Sequence, residues 1–231
     1  MSSESVVICG FQTLFFIPIG ILYICITTKQ KQMQTKAAQT TQFILETVSP
    51  IFNRKGYSGT SLSDITKATN LTKGAIYGNF KNKEELALAA FNHNIRFILD
   101  KIKAILTQID SPLAKLHALT DFYRNYYKHN ISFGGCPILN VGIDANNTNP
   151  KLFERVKSVT RKLQESIEKI ISEGIEKGEI KENINADIYG GRIFSLIEGS
   201  VFTSVLLKDD KYLLDMMNHI DKMILSELQA I

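Results

Sequence analysis

Residues 60–86 read TSLSDITKATNLTKGAIYGNFKNKEEL, and their spacing predicts two short helices joined by a tight turn, then a third capped helix. Ser61 has the side chain of an N-cap, and Asp64 three residues later completes a variant of the capping box. Leu62, Ile65 and Ala68 then form one apolar face. Asn70-Leu71 stops that helix, and Thr72 caps the next, whose inward residues are Ile76 and Phe80. Lys73, Gly74, Ala75, Tyr77 and Asn79 point outward, and are small, polar or basic. A helix-turn-helix needs this division, because one face fills a core while the other meets base edges and phosphates.

Working outward, Lys36 to Lys55 carries Ile44, Val48 and Phe52 at helical spacing, and Gly56 follows as a residue able to take positive φ. Pro50 inside that helix removes one hydrogen bond and bends the chain near Ser49. On the other side, Asn82 caps a helix with Glu85 at its third position. Lys83 therefore projects from a helix N-terminus, where free amides already favour an anion.

Residues 36–86 resemble the DNA-binding domain of the TetR/AcrR family of bacterial regulators. The resemblance is carried by Phe52, Gly56-Tyr57, Thr60-Ser61, Asp64-Ile65, Lys73 to Tyr77 and Phe80 to Leu86. It implies an all-α fold: an N-terminal three-helix domain with the helix-turn-helix (33–82), then a helical-bundle domain for effector binding and dimerisation (83–231). It implies a DNA surface made of Thr60, Ser61, Thr72, Lys73, Gly74, Ala75, Tyr77, Gly78, Asn79 and Lys83. Lys83 matches the family's phosphate-clamping lysine, and Tyr77 its backbone-contacting tyrosine. Gly78 and Asn79 depart from the family, which often has an aromatic residue and then histidine there. Asn79 is able to read adenine through both ends of its amide.

Charge agrees in sign with that reading. The net charge is +4, and residues 33–85 hold seven Lys/Arg against four acids, whereas residues 86–231 are neutral. An apolar content of 44% suits a globular chain, and helical spacing recurs while strand-like alternation does not. No glycine-rich phosphate loop, Ser/His/Asp arrangement or paired metal-ligand motif is visible. His93, His117, His129 and His219 lack ligand spacing, so neither an enzyme nor a metal or cofactor is expected.

Val6 to Ile26 is free of charged residues and long enough to span a bilayer, with Lys29, Lys31 and Lys36 behind it. Residues 1–32 have three readings: a start assigned too early, with Met33 the true one; a membrane anchor through residues 6–26; or an interfacial or disordered extension. The first is preferred, because the family domain begins near its N-terminus and a tether hinders two such domains from reaching DNA. A cytoplasmic protein follows, with a membrane-tethered regulator as the alternative.

Beyond Leu86 the spacing predicts amphipathic helices over 83–108, 112–130, 137–146, 150–177, 186–207 and 209–229, with breaks at proline- and glycine-containing turns. The resemblance makes the last two the dimerisation elements, through Ile193, Ile197, Val201, Val205, Met216, Met217, Ile220 and Met223. Gly190, Gly191 and Gly199 would allow close approach of helices. Phe91, Phe122, Tyr126, Cys136, Phe153 and Phe194 are candidates to line an effector pocket. Cys136 precedes Pro137 and so sits at a helix N-terminus, where a thiol pKa tends to fall. A reactive sensor and a small buried cap thiol are both open readings of it. The implied partners are an operator duplex, a small-molecule effector and a second copy of the chain; release of the operator by the effector would make it a repressor.

Overall fold

The computed structural model describes residues 35–127 and 134–230. The hydrophobic run 6–26, and with it every reading of residues 1–32, lies outside the described residues. In order come α1 (Lys36–Gly59), α2 (Leu62–Thr69), α3 (Lys73–Asn79), α4 (Lys83–Leu106), α5 (Pro112–Arg124), α6 (Pro137–Ala145), α7 (Pro150–Glu176), α8 (Ala186–Leu207) and α9 (Lys211–Met223). A π-helical turn, Ile224–Leu228, follows α9. No strand occurs among the described residues; a single bridge joins Ile180 to Gln229.

Local chemistry sets most helix starts. Ser61 and Asp64 form a reciprocal capping box, and Thr72, Asn82, Ser111, Asn149 and Asn185 each accept an amide of the first turn. Pro112, Pro137 and Pro150 occupy first positions, where the missing N–H has no partner to lose. Asn70 ends α2 in the left-handed conformation. Helix α1 is continuous through Pro50 but interrupted at Gly56, with φ 74° and ψ 176°, a region almost reserved for glycine.

Ile44, Val48, Phe52, Ile65, Ile76 and Phe80 make the core of the small domain. The buried partner of Ile65 on α2 is Thr69, whereas Ala68 is exposed: the helix meets α1 on a stripe running one residue further than expected. Helix α1 lies against α4 and α6, α6 against α7, and α7, α8 and α9 stack in turn. Gly190 permits the α7–α8 contact, since a Cβ there would stand 3.0 Å from the Glu168 amide nitrogen. Gly190 therefore serves packing within the protomer. The segment predicted as one helix over 112–130 turns at Asn125, after Arg124.

At the C-terminus the backbone is tied down. Lys181 donates its amide to Leu228 and Ala230 donates to Glu179. The Lys181 ammonium caps the carbonyls of Ser226 and Glu227.

The residues expected to dimerise divide by burial. Ile193, Ile197, Val201, Met217, Ile220 and Met223 are buried in the protomer's own core, and Val205 and Met216 are half-buried. The outer side of α8 instead exposes Ile188, Phe202 (45% exposed) and Leu206 (63%), joined by Tyr212 of α9. These α8 residues recur at helical spacing with Gly199 between them, and a Cβ on Gly199 would meet nothing within 4 Å. Helix α8 is apolar on both sides, and only one side is needed by the protomer.

Candidate nucleic-acid interface

Helix α3 presents Lys73, Gly74, Tyr77 and Gly78 to solvent, with Ala75 and Asn79 partly covered. It is anchored by Ile76, which is fully buried. Thr72 accepts the Ala75 amide at 3.2 Å, and no described residue takes its hydroxyl proton. Lys73 forms no ion pair among the described residues. These groups make a short, convex, uncovered surface carrying donors, which suits a polyanion.

Two predicted contacts sit otherwise. Thr60 is wholly buried, and its hydroxyl donates to the Gly56 carbonyl at 2.7 Å. It closes the kinked end of α1 and has no path to phosphate. Asn79 meets a partner at each end of its amide: Nδ2 donates to the Ala75 carbonyl at 2.9 Å, and Oδ1 lies 2.9 Å from the Thr41 hydroxyl, whose single proton it shares with the Ala37 carbonyl at 3.0 Å. Bidentate reading of adenine needs both ends at once, so Asn79 positions α3 against α1 instead. Asn79→Ala should therefore weaken binding to all duplexes by a similar factor of about five, worth about 1 kcal/mol for a lost hydrogen bond. Parallel titrations of specific and scrambled DNA check this; a selective loss at particular base pairs would restore the base-reading role.

Ser61 stays at the surface, but its hydroxyl is engaged with Asp64 at 2.7 Å. Asp64 also receives Lys55 at 2.7 Å. The Lys55 ammonium, then Ser61, hold its carboxyl well below the usual carboxylate range.

Lys83 stands at the first position of α4, its ammonium 4.4 Å from the centre of the Tyr57 ring. Partial desolvation lowers its pKa, and Asp144 pulls the other way. Asp144, near the end of α6, takes the Tyr57 amide at 2.6 Å and the Ser58 amide at 3.1 Å on one oxygen. At the other end of α6, Asn140 donates to the carbonyls of Gly134 and Asn53, while Asn53 donates to Gly135. Helix α6 is thus stitched to α1 along its length. No sequence signal marked Asp144, because its partners lie 87 and 86 residues away.

Behind this lies space for a ligand. A cleft of about 570 Å³ opens among α4, α5, α7 and α8, walled by Leu99, Ile102, Leu119, Tyr123, Leu163, Ile167 and Phe194. A second, of about 690 Å³ between α4 and α5, is lined by Phe122 and Tyr126. A narrow cavity of about 20 Å³ shares Tyr123, Leu99, Ile102 and Leu163 with the first and Tyr126 with the second, and contains Cys136 and Glu198. Phe122, Tyr126, Cys136 and Phe194 thus line these spaces. Phe91 does not: it is buried where α1, α4 and α6 meet. Phe153 lines none of these three spaces: it is half-buried against the core, with the Lys157 ammonium over its ring.

The thiol of Cys136 is not activated. Burial is the main reason its pKa stands well above the usual value, with the Glu198 carboxylate adding to it; the amides of Leu139 and Ile138 only partly oppose them. Glu198 is itself raised by burial, from 4.5 to about 6. A raised carboxyl pKa means that the folded state binds the proton more tightly, so stability is greatest below pH 4.5 and falls as pH rises towards 6. Glu198→Gln should remove that fall and make the protein roughly 2 kcal/mol more stable than the parent at neutral pH. Urea unfolding at fixed protein concentration across this window provides the check; parallel pH profiles for the two proteins would contradict it.

Comparison with known proteins gives a consistent result. Residues 44–90 match the family described as bacterial regulatory proteins, tetR family, and residues 112–220 match the tetracyclin repressor-like C-terminal domain. A transcriptional regulator of Chloroflexus aurantiacus superposes with a TM-score of 0.80 at 32% identity, covering 86% of this chain and all (100%) of that one. One from Cytophaga hutchinsonii gives 0.79 at 31%, covering 86% and 98%. The regulator YxaF of Bacillus subtilis is 29% identical over 78% of this chain and 92% of its own.

Proposed function

The chain belongs to the TetR family of transcriptional regulators, and we propose that within it this protein is a homodimeric repressor which an effector removes from its operator. Lys73, Gly74, Ala75, Tyr77 and Gly78 would face the groove, with Thr72 and Lys83 on phosphates. Effector would enter the space among α4, α5, α7 and α8.

The observation that carries this reading is the course of α6. Its first residue follows Cys136 in the cavity wall, and its last turn holds the end of α1 through Asp144. Nine residues of helix make a rod about 13 Å long. A ligand that displaces the Cys136–Pro137 wall moves Asp144, and with it the Tyr57 ring against which Lys83 rests. Two protomers joined through the outer side of α8 would place their α3 helices for successive major grooves, about 34 Å apart, and a shift of α6 in each alters that spacing.

Selection of bound duplexes from a random library, with the full-length protein, tests the reading. An inverted repeat with half-sites near one helical turn apart is the expected result. Failure to enrich any sequence, or enrichment of a single asymmetric half-site, would overturn it. On the selected duplex, Lys83→Ala should reduce the salt slope by about one and weaken specific and non-specific DNA alike. An unchanged slope, read from titrations at several salt concentrations, would remove Lys83 from the phosphate contacts.

A further inference from the structure

Glu198 is a carboxylate where the packing calls for an apolar residue. It sits mid-way along α8 and is 8% exposed; its Oε2 atom is buried with no hydrogen-bond partner. The thiol of Cys136 donates to its carboxyl group. Around it stand Tyr123 and Tyr126, with Ile98 and Leu99 of α4 and Leu163 of α7. No lysine, arginine or histidine among the described residues lines this niche. A buried charge is costly unless it is paired, and no cation among the described residues balances this carboxylate.

The shape of the surroundings limits what could pair with it. The niche holds about 20 Å³, room for a group the size of one water molecule. It adjoins the 570 Å³ cleft, with which it shares the side chains of Tyr123, Leu99, Ile102 and Leu163 as a common wall, and the cleft is also lined by Phe194. A primary ammonium meets all the requirements: it is compact, positively charged, supplies up to three donors, and is attracted to the faces of tyrosine rings. A carboxylate head in the niche would set two like charges together. Lys103, Lys115 and Lys169 border the cleft, but Lys103 and Lys169 are exposed, Lys115 is paired with Glu173, and none of the three lines the niche.

We propose that the effector is a primary amine with an apolar body, its ammonium paired with Glu198 between Tyr123 and Tyr126 and its body in the cleft among α4, α5, α7 and α8. This names the ligand class for the effector space of the preceding section. It rests on that reading for release from DNA, though binding of the amine stands independently.

Three probes of one chain length separate the charge of the head from the fit of the body: n-decylamine, decanol and decanoate, titrated calorimetrically into the full-length protein. Decylamine should bind at least tenfold more tightly than decanol, and decanoate more weakly than either. In Glu198→Gln the advantage of the amine should vanish while decanol binds within twofold of its parent value, which also shows that the variant is folded. Equal binding of the three probes, binding of none, or an amine advantage that survives Glu198→Gln would each overturn the proposal. Displacement from the selected duplex is measured alongside. Amine binding that depends on Glu198 but leaves DNA bound would overturn the effector-released repressor and leave the ligand class standing.

Discussion

Gly56→Ala is expected to lower the unfolding free energy by about 3 kcal/mol and to weaken DNA binding in step with it. Two costs combine. At φ 74° and ψ 176° an alanine is strained, by about 1–3 kcal/mol. Its Cβ would also lie 2.7 Å from the Asp144 carboxyl carbon, so Asp144 must release the amides of Tyr57 and Ser58. The second cost is separable. In an Asp144→Ala background the clash is absent, and the alanine at position 56 should cost only the backbone strain. A double-mutant cycle from urea unfolding measures this coupling. Additive effects would show that the carboxylate yields freely, and would weaken the case for α6 as a rigid connection.

The second large effect concerns assembly. Phe202→Glu combined with Leu206→Glu should convert dimers to folded monomers and reduce affinity for a two-fold operator by at least a hundredfold. The two side chains are 45% and 63% exposed in the protomer, so folding loses little when they change. In a two-fold interface each is buried twice, and four carboxylates would be brought together. Sedimentation with circular dichroism reads both quantities. Met217→Glu is the contrasting variant: that side chain is fully buried, so it should unfold the protomer. A double variant that remains dimeric would place the interface elsewhere.

These two positions show where sequence reading succeeds and where it stops. Helix starts were legible because capping is chemistry between near neighbours: Ser61 with Asp64, Thr72 with the Ala75 amide, Asn82 with the Glu85 amide. The buried faces of α1 and α3 were legible for the same reason, through Ile44, Val48 and Phe52 and through Ile76. Helix α8 was not. It carries apolar residues all round, and spacing alone does not tell the side that fills the protomer, Ile193, Ile197 and Val201, from the side that does not, Ile188, Phe202 and Leu206. The Thr41 bond of Asn79 was not legible because it depends on where α1 ends up in space, and neither was the burial of Thr60. Asp144 had no signal at all. Glu198 did have one, an acid in the middle of the otherwise uncharged stretch 193–207; its meaning depends on Tyr123 and Cys136, brought to it by the fold.

The closed turn at Ile224–Leu228 bears on how this side of the domain opens. The backbone to Ala230 is bonded to Glu179 and Lys181, and Leu228 is fully buried. Local unfolding here first requires opening the Ile180–Gln229 bridge and lifting Leu228 from the core. Amide exchange at Lys181 and Ala230 would follow the rate of that one opening, as a single cooperative unit.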